Sequence, residues 1–355
     1  MRVAFRTGWV LAACLWTVAA VATEADRIRI KLDASEAEQV LAIVAKHQQG
    51  RAVTDADWSA LFATEPYRRL KMREAAMHRS FTDDEFRKFV LSDELEHQYE
   101  QLSRTLAAWK NADMRASGMR ILPYLPAEAA IHVKVFPEIK PKHNSFVFDT
   151  DTDPAIFLYL DPKVSPEEFA NTVSHEMHHI GLSSTDKIYE KKIEELSPGG
   201  RKAAEWMGAF GEGEAVLAAA GGPDASPQQH SRPDVQANWA RGMSTFNEDL
   251  ETLNQFFLDV VKGRLQADAA DRKAYTFFGD IQGPWYTVGY RMAVLVEKRY
   301  GRQALIECML DRRLLLVRYN QAAQEINASG RDHLALWSSE VLKAVQANTG
   351  TLQSD

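Results

Sequence analysis

Between Ile131 and Leu160 the spacing of apolar residues changes, and this change constrains the fold more than any other feature. Ile131-His132-Val133-Lys134-Val135-Phe136 alternates apolar and polar side chains, the period of a strand. Ser145–Phe148 and Ala155–Leu160 are two further strand candidates, with Asp and Pro between them as turn residues. On both sides of this block the pattern is helical. Residues 33 to 111 read as helices throughout, with Asp33-x-x-Glu36 and Thr82-x-x-Glu85 as capping boxes and Gly50 where the first helix stops. A longer helix is expected over Asp93 to Lys110, with Leu95, Leu102, Leu106 and Trp109 on one side. After Leu122-Pro123-Tyr124-Leu125-Pro126 comes the strand block, and from Ser165 onward the chain is helical again, interrupted by a polar surface loop from Gly221 to Pro233. The expected fold class is α+β, mostly α, with a small β-sheet flanked by N- and C-terminal helices.

Composition sets the compartment and excludes several classes. Of 355 residues, 45% are apolar and 26% charged, which is ordinary for a globular chain. Lys and Arg total 42 against 49 Asp and Glu, so the net charge is −7, and no basic cluster is present to bind nucleic acid. Two cysteines exclude a disulfide framework, and Cys308, in an apolar helical pattern, reads as a buried thiol. At the N-terminus, Arg2 and Arg6 precede an uncharged run from Thr7 to Thr23, closed by Ala20-Val21-Ala22. This is a secretory signal, cleaved after Ala22; the run is too short for the ~20 residues of a membrane span. The expectation is therefore export, periplasmic or secreted, with no stable membrane span after cleavage. Leu11-Ala12-Ala13-Cys14 also matches a lipobox, which would anchor the protein at Cys14. The expected organisation is a signal over 1–22, a helical region over 23–117 and a catalytic region over 118–355.

The chemistry concentrates in the helix that Ser165-Pro166-x-Glu168 opens, with Ser165 as N-cap and a stop near Gly181. It carries His175-Glu176-Met177-His178-His179. His175 and His179 are one turn apart, so both imidazoles leave one face and can grip one metal ion. Glu176 lies beside that face and can reach a metal-bound water without being a ligand; this is the H-E-x-x-H pattern of zinc peptidases. A catalytic zinc needs a third protein ligand. The metzincin route fails, because Leu182 and Thr185 stand where Gly and His would be required. Asp186 is a second route. A Glu on a following helix, read over 201–220, is the third; Glu212 and Glu214 point about 200° apart there, so only one can face the metal, and Glu205 shares the face of Glu212. Gly208, Gly211 and Gly213 weaken that helix and suggest its close approach to the H-E-x-x-H helix.

His175-Glu176-x-x-His179, followed by Glu212-Gly213-x-Ala215, resembles the gluzincin pattern with its E-G-x-A second half. Gly283-Pro284-Trp285-Tyr286-Thr287-Val288-Gly289-Tyr290 is similar to a G-x-x-Y-x-x-G helix start found downstream in poorly characterised bacterial families of zinc-dependent peptidases. The resemblance covers roughly residues 120 to 320. It implies a zincin-like core, Zn2+ held by His175, His179 and Glu212, Glu176 as general base, and a peptide or protein substrate. One position departs: where thermolysin-like enzymes carry an Asp four residues after the Glu ligand, this chain has Val216. Support for the histidines must then come from elsewhere, with Glu205 a candidate. In the mechanism these roles imply, zinc acidifies a water and polarises the scissile carbonyl, and Glu176 moves the proton to the leaving amine. The oxyanion needs a second donor, for which Tyr286 and Tyr290, one turn apart, are candidates. The strand over 155–160 could be the sheet edge that holds an extended peptide.

Two rival readings use the same residues. Glu176-x-x-His179 is also E-x-x-H, and Glu94-Leu95-Glu96-His97 is a second, which together make half of a ferritin-like di-iron site. That reading leaves His175 and Glu212 unused and places strands where a bundle needs helix. The other rival is an inactive zincin fold that serves as an envelope binding protein, against which the intact Glu176 argues.

Overall fold

The computed structural model describes residues 26–150, 152–183 and 185–346. The signal segment and Cys14 lie outside the described residues. Among the described residues the first element is β1 (Ile28–Leu32), followed by α1 (Ser35–Gln48), α2 (Asp55–Phe62), α3 (Glu65–Ala76), α4 (Asp83–Val90), α5 (Asp93–Lys110) and α6 (Met114–Ile121). Then come β2 (Ile131–Glu138), β3 (Phe146–Phe148) and β4 (Ala155–Tyr159). The long α7 (Pro166–Ser183) precedes α8 (Asp186–Ile193), α9 (Pro198–Met207) and α10 (Gly211–Ala220). The remainder is α11 (Pro233–Ser244), α12 (Phe246–Val261), α13 (Ala267–Thr276), α14 (Pro284–Tyr300), α15 (Arg302–Leu310), α16 (Arg313–Ala328) and α17 (Ser339–Gln346). The protein is mostly helical with one four-stranded sheet. Among the described residues no helix is long and apolar enough to cross a membrane.

The strand order is β1-β2-β4-β3, with β1, β2 and β4 parallel and β3 antiparallel to β4. Two sequence expectations change here. Ile28-Arg29-Ile30-Lys31-Leu32 alternates and forms an edge strand, although it is too short to stand out beside a helix start. The strand over 155–160 is not an edge: Ala155–Tyr159 pair with Lys134–Glu138 on one side, and Ala155–Phe157 pair with Phe148–Phe146 on the other. The free edges belong to β1 and β3. Ile131, Val133 and Val135 face the main core, whereas Phe136 and Phe157 pack on the other face with Leu70.

One apolar core runs from Ile28 to Val345 and joins both helical regions to the sheet. Leu95, Leu102, Leu106 and Trp109 are all buried on α5, as their spacing predicts. Trp109 stacks on Phe169 of α7, with centroids 4.3 Å apart and planes 13° from parallel. That contact fixes the first half of α7 against the N-terminal helices. Ser165 caps α7 by accepting from the Glu168 amide. The helix passes Gly181 and ends at Ser183, because Gly181 leaves room for Leu125: a Cβ there would meet Leu125 Cδ1 at 2.4 Å. Cys308 is buried, as expected of an inert thiol.

The two N-terminal capping boxes part ways. Thr82 and Glu85 form theirs in full. The box at Asp33 does not form: Asp33 accepts from Ser35 and Glu36 turns inward instead, where its Oε2 accepts from the Ile139 amide at 3.0 Å. Glu36 thereby joins Glu138 and Lys140 in a buried ionisable cluster, with exposures of 0%, 0% and 2%. Lys140 Nζ stands 3.7 Å from Glu138 Oε2 and 4.2 Å from the centre of the Phe146 ring. Burial pushes Glu138 up from 4.5 to about 8, with Lys140 opposing the rise, and burial also raises Glu36. A carboxyl whose folded pKa is raised binds more protons folded than unfolded between the two values, so its contribution to stability is lost as pH rises through that window. Glu138→Gln cannot ionise. Its unfolding midpoint in urea, relative to the parent protein, should therefore climb between about pH 5 and pH 8. A difference that stays level across that range would mean that Glu138 holds no proton in the fold.

Candidate metal centre

Three side chains from two helices converge. On α7, residues 175 and 179 lie one turn apart, so both rings project from one face. On α10, Glu212 sits in the first turn. His175 Nε2 lies 3.0 Å from Glu212 Oε2, His179 Nε2 lies 3.3 Å from the same oxygen, and the two Nε2 atoms are 3.1 Å apart. A tetrahedral zinc with bonds of about 2.0–2.1 Å spaces its ligand atoms about 3.3–3.4 Å apart. The observed triangle is within a few tenths of an ångström of that edge. Two imidazole nitrogens and a carboxylate oxygen this close share at most one or two protons between three lone pairs, and a cation at their centre satisfies all three. Among the described residues this is the group of His, Cys, Asp and Glu side chains arranged to hold a metal ion.

The electrostatics of the trio are those of a cation site. Burial opposes charge on His179, but the Glu212 carboxylate outweighs it and lifts the imidazole to about 9. Burial raises Glu212 as well, and the attraction of His179 and His175 overcomes it, so Glu212 stays well below the usual carboxylate range. The trio is only partly covered, with side-chain exposures of 14% for His175, 32% for His179 and 21% for Glu212.

The helix expected over 201–220 is broken in two. α9 stops at Met207, Gly208–Phe210 form a 3-10 turn, and α10 restarts at Gly211. The glycines do allow a close approach, but to α14 rather than to α7. A Cβ on Gly213 would fall 2.0 Å from the Tyr290 amide nitrogen, and one on Gly289 would fall 2.7 Å from the Phe210 carbonyl oxygen. Gly221, at φ +89°, ends α10 in the left-handed conformation.

Tyr286 stands beside the metal ligands. Its ring lies 6.2 Å from that of His175, nearly parallel to it. Burial raises its phenol, as do the Glu212 and Glu176 carboxylates and a hydrogen bond to Glu212. Tyr290 lies one turn on, against Trp239, and its hydroxyl points to the Ala225 carbonyl at 3.5 Å. A cavity of about 230 Å³ opens beside His175, Glu176 and Tyr286, and Tyr290 does not line it.

The other sequence candidates stand outside the trio. Glu205 is exposed on α9 and pairs with Lys202. Asp186 accepts from Arg312 Nη2 at 2.8 Å. His178 is fully buried, and burial holds its imidazole well below the usual value. His97 bonds to the Asp93 carbonyl of its own helix, and neither it nor Glu94 belongs to the metal group. Glu214 faces away from the trio's side of α10, 1% exposed, and burial pushes it up to about 7. Sequence reading overlooked Arg312, which acts on both Glu214 and His179; no local pattern could reveal it, because it reaches them from 98 and 133 residues away. It also overlooked Thr172 and Glu168 as cavity residues, although a helical signal was present: they precede His175 by three and seven residues, on its face.

The family model described as "Putative zinc dependent peptidase (DUF5700)" matches residues 58–328. The chain belongs to this family. The family match begins within α2, well before the resemblance read from about residue 120, so α3 to α6 belong to the shared unit. No curated protein and no solved structure matches the chain. The family is described as zinc dependent, and the three-ligand group fits that metal in donor type and spacing.

If the three residues are the ligands, His175→Ala, His179→Ala and Glu212→Ala should each lower zinc affinity by more than the roughly 10–100-fold that loss of a merely supporting residue costs. Glu205→Ala and Asp186→Ala should retain about one zinc per chain. Metal content after dialysis against a competing chelator decides this, and zinc retained by Glu212→Ala but lost by either control would reassign the third ligand.

Proposed function

We propose that this protein is an exported zinc-dependent peptidase that hydrolyses peptide bonds with Glu176 as general base. The observation that carries the reading is the triangle of His175, His179 and Glu212, with an unused carboxylate, Glu176, on the cavity beside it. A zinc ion held there supplies Lewis acidity, which acidifies a water and polarises a carbonyl. Glu176 is one residue from a ligand and lines the cavity, so its carboxylate can take a proton from the attacking water and pass it to the departing amine. Tyr286 stacks beside His175 on the cavity; its phenol, raised by burial and by Glu212 and Glu176, keeps its proton at neutral pH and can donate to developing negative charge on the substrate. Val216, also on the cavity wall, contributes an apolar surface. A single helix bearing two ligands and the base, packed beside a small sheet, supports a zincin-like core.

An inactive binding protein or a di-iron carboxylate protein would use these residues otherwise; a peptidase assay of the parent protein separates the first, and Glu176→Gln the second. The amide keeps the shape of the side chain and removes its basicity. A peptidase should keep its zinc and lose a factor of about 10²–10⁴ in cleavage of a mixed peptide library. Tyr286→Phe should lower cleavage by about 10²–10³ with zinc content unchanged. Zinc retained with cleavage undiminished in Glu176→Gln would remove that residue from the reaction, and metal lost with activity would make it a ligand.

Export is part of the same proposal and rests on the segment from Arg2 to Ala22. N-terminal sequencing of exported material should begin at Thr23. A lipid-modified start at Cys14 would place the protein on a membrane instead.

A further inference from the structure

The cavity beside Glu176 has one wall that carries two carboxylates, Glu176 and Glu168. It runs along α7 from His175 and Glu176, past Thr172 and Asn171, to Glu168. The opposite wall is neutral and held in place: Gln228, 7% exposed, donates Nε2 to Gln282 Oε1 at 2.9 Å and accepts from Ser231 Oγ at 2.7 Å. Among the described residues no Lys or Arg lines the cavity. Among the described residues no donor hydrogen-bonds the Glu168 carboxylate. The nearest cation, Arg232, holds Nε 3.6 Å from Glu168 Oε1, while its Nη1 is engaged by Asp161 at 3.1 Å. Arg232 Nε is itself buried without a hydrogen-bond partner. Arg232 thus pairs with both Asp161 and Glu168; burial raises the Glu168 carboxyl, Arg232 lowers it, and Asp161 and Asp234 raise it again.

Length decides which cation fits. Glu168 precedes His175 by seven residues, which on a helix is about 10 Å along the axis. The α-amine of a substrate's own N-terminal residue lies about 2.5 Å from the scissile carbonyl carbon, two bonds away, and falls far short of Glu168. The ammonium of an extended Lys next to the scissile bond lies about 7.5 Å from that carbon and the guanidinium of an Arg about 8–9 Å, and a hydrogen bond to the Glu168 side chain completes the span. The volume of about 230 Å³ accepts such a side chain. We infer that this cavity is the specificity subsite of the peptidase, that it takes a Lys or Arg adjacent to the scissile bond, and that Glu168 is the residue that recognises the cation. The inference rests on the peptidase reading above and narrows it to cleavage beside basic residues.

The test uses the zinc-loaded protein and two peptides that differ only in Lys against norleucine at one position. Cleavage of a proteome-derived peptide library should map to bonds beside Lys or Arg. The ratio of kcat/KM for the Lys peptide over the norleucine peptide should exceed tenfold and should fall at least tenfold in Glu168→Gln. Calorimetric binding of the same two peptides to Glu176→Gln, alone and combined with Glu168→Gln, should show the same loss of discrimination without any turnover. Glu168→Arg should turn the preference toward acidic residues, and unfolding midpoints and zinc content confirm that each variant is folded and loaded. A Lys preference that survives both substitutions of Glu168, or cleavage beside neutral residues only, overturns the subsite. If no peptide is cleaved yet Glu168-dependent binding of the Lys peptide persists, the peptidase reading falls and the subsite stands. If neither cleavage nor binding is seen with zinc in place, both fall.

Discussion

The contact on which the metal centre depends is the backbone-to-backbone approach of α10 and α14 at Gly213 and Gly289. A side chain on either residue would overlap main-chain atoms of the other helix, which cannot move without shifting the helix itself. The approach has two consequences at once. It sets α10 at the depth where Glu212 Oε2 meets both histidines, and it brings Tyr286, one turn before Tyr290, alongside His175. Glycine is unfavourable in a helix interior by about 1 kcal/mol relative to alanine, so its presence at this crossing makes sense through packing rather than propensity.

The third element of the site, α7, is held from the other direction. Trp109 on Phe169 and Leu125 in the gap left by Gly181 clamp its two ends against the N-terminal half of the chain. The sheet adds to this, since β2 packs its Ile131, Val133 and Val135 face into the same core as Val173 and Met177 of α7. This accounts for a family match that spans α2 to α16: the helices before the sheet form part of the mould in which the histidine helix is cast.

Charge is distributed unevenly around this frame. The trio of His175, His179 and Glu212 is a region of mutual attraction that gathers positive charge, whereas Glu214 and Glu138 sit where burial outweighs every partner and favours the neutral acid. Between these extremes Glu168 stands at the end of a cavity, 3.6 Å from the Arg232 guanidinium that it shares with Asp161. The same residue type thus takes three places, as partner of two histidines, as buried neutral acid and as cavity wall, and the difference lies in solvent access and neighbours rather than in sequence context.

Much of the site could be read directly. The one-turn spacing of His175 and His179, with Glu176 between them, is a property of any helix that contains them, so local periodicity was enough. The Asp93–Lys110 helix and its buried face, the β2 strand and the Thr82 cap were legible for the same reason: each is decided within one element. What lay beyond the sequence was every choice between equivalent local options. Glu212 rather than Glu214 or Asp186 meets the histidines because of how α10 crosses α14; Tyr286 rather than Tyr290 lines the cavity because of which turn of α14 faces α7. Glu36 leaves a formally good capping box for the Ile139 amide, and β4 becomes internal because β3 folds back beside it. Local sequence determines which elements form and which faces they offer, since those depend on near neighbours along the chain; the tertiary structure decides which face meets which, since that depends on close packing between residues far apart in sequence.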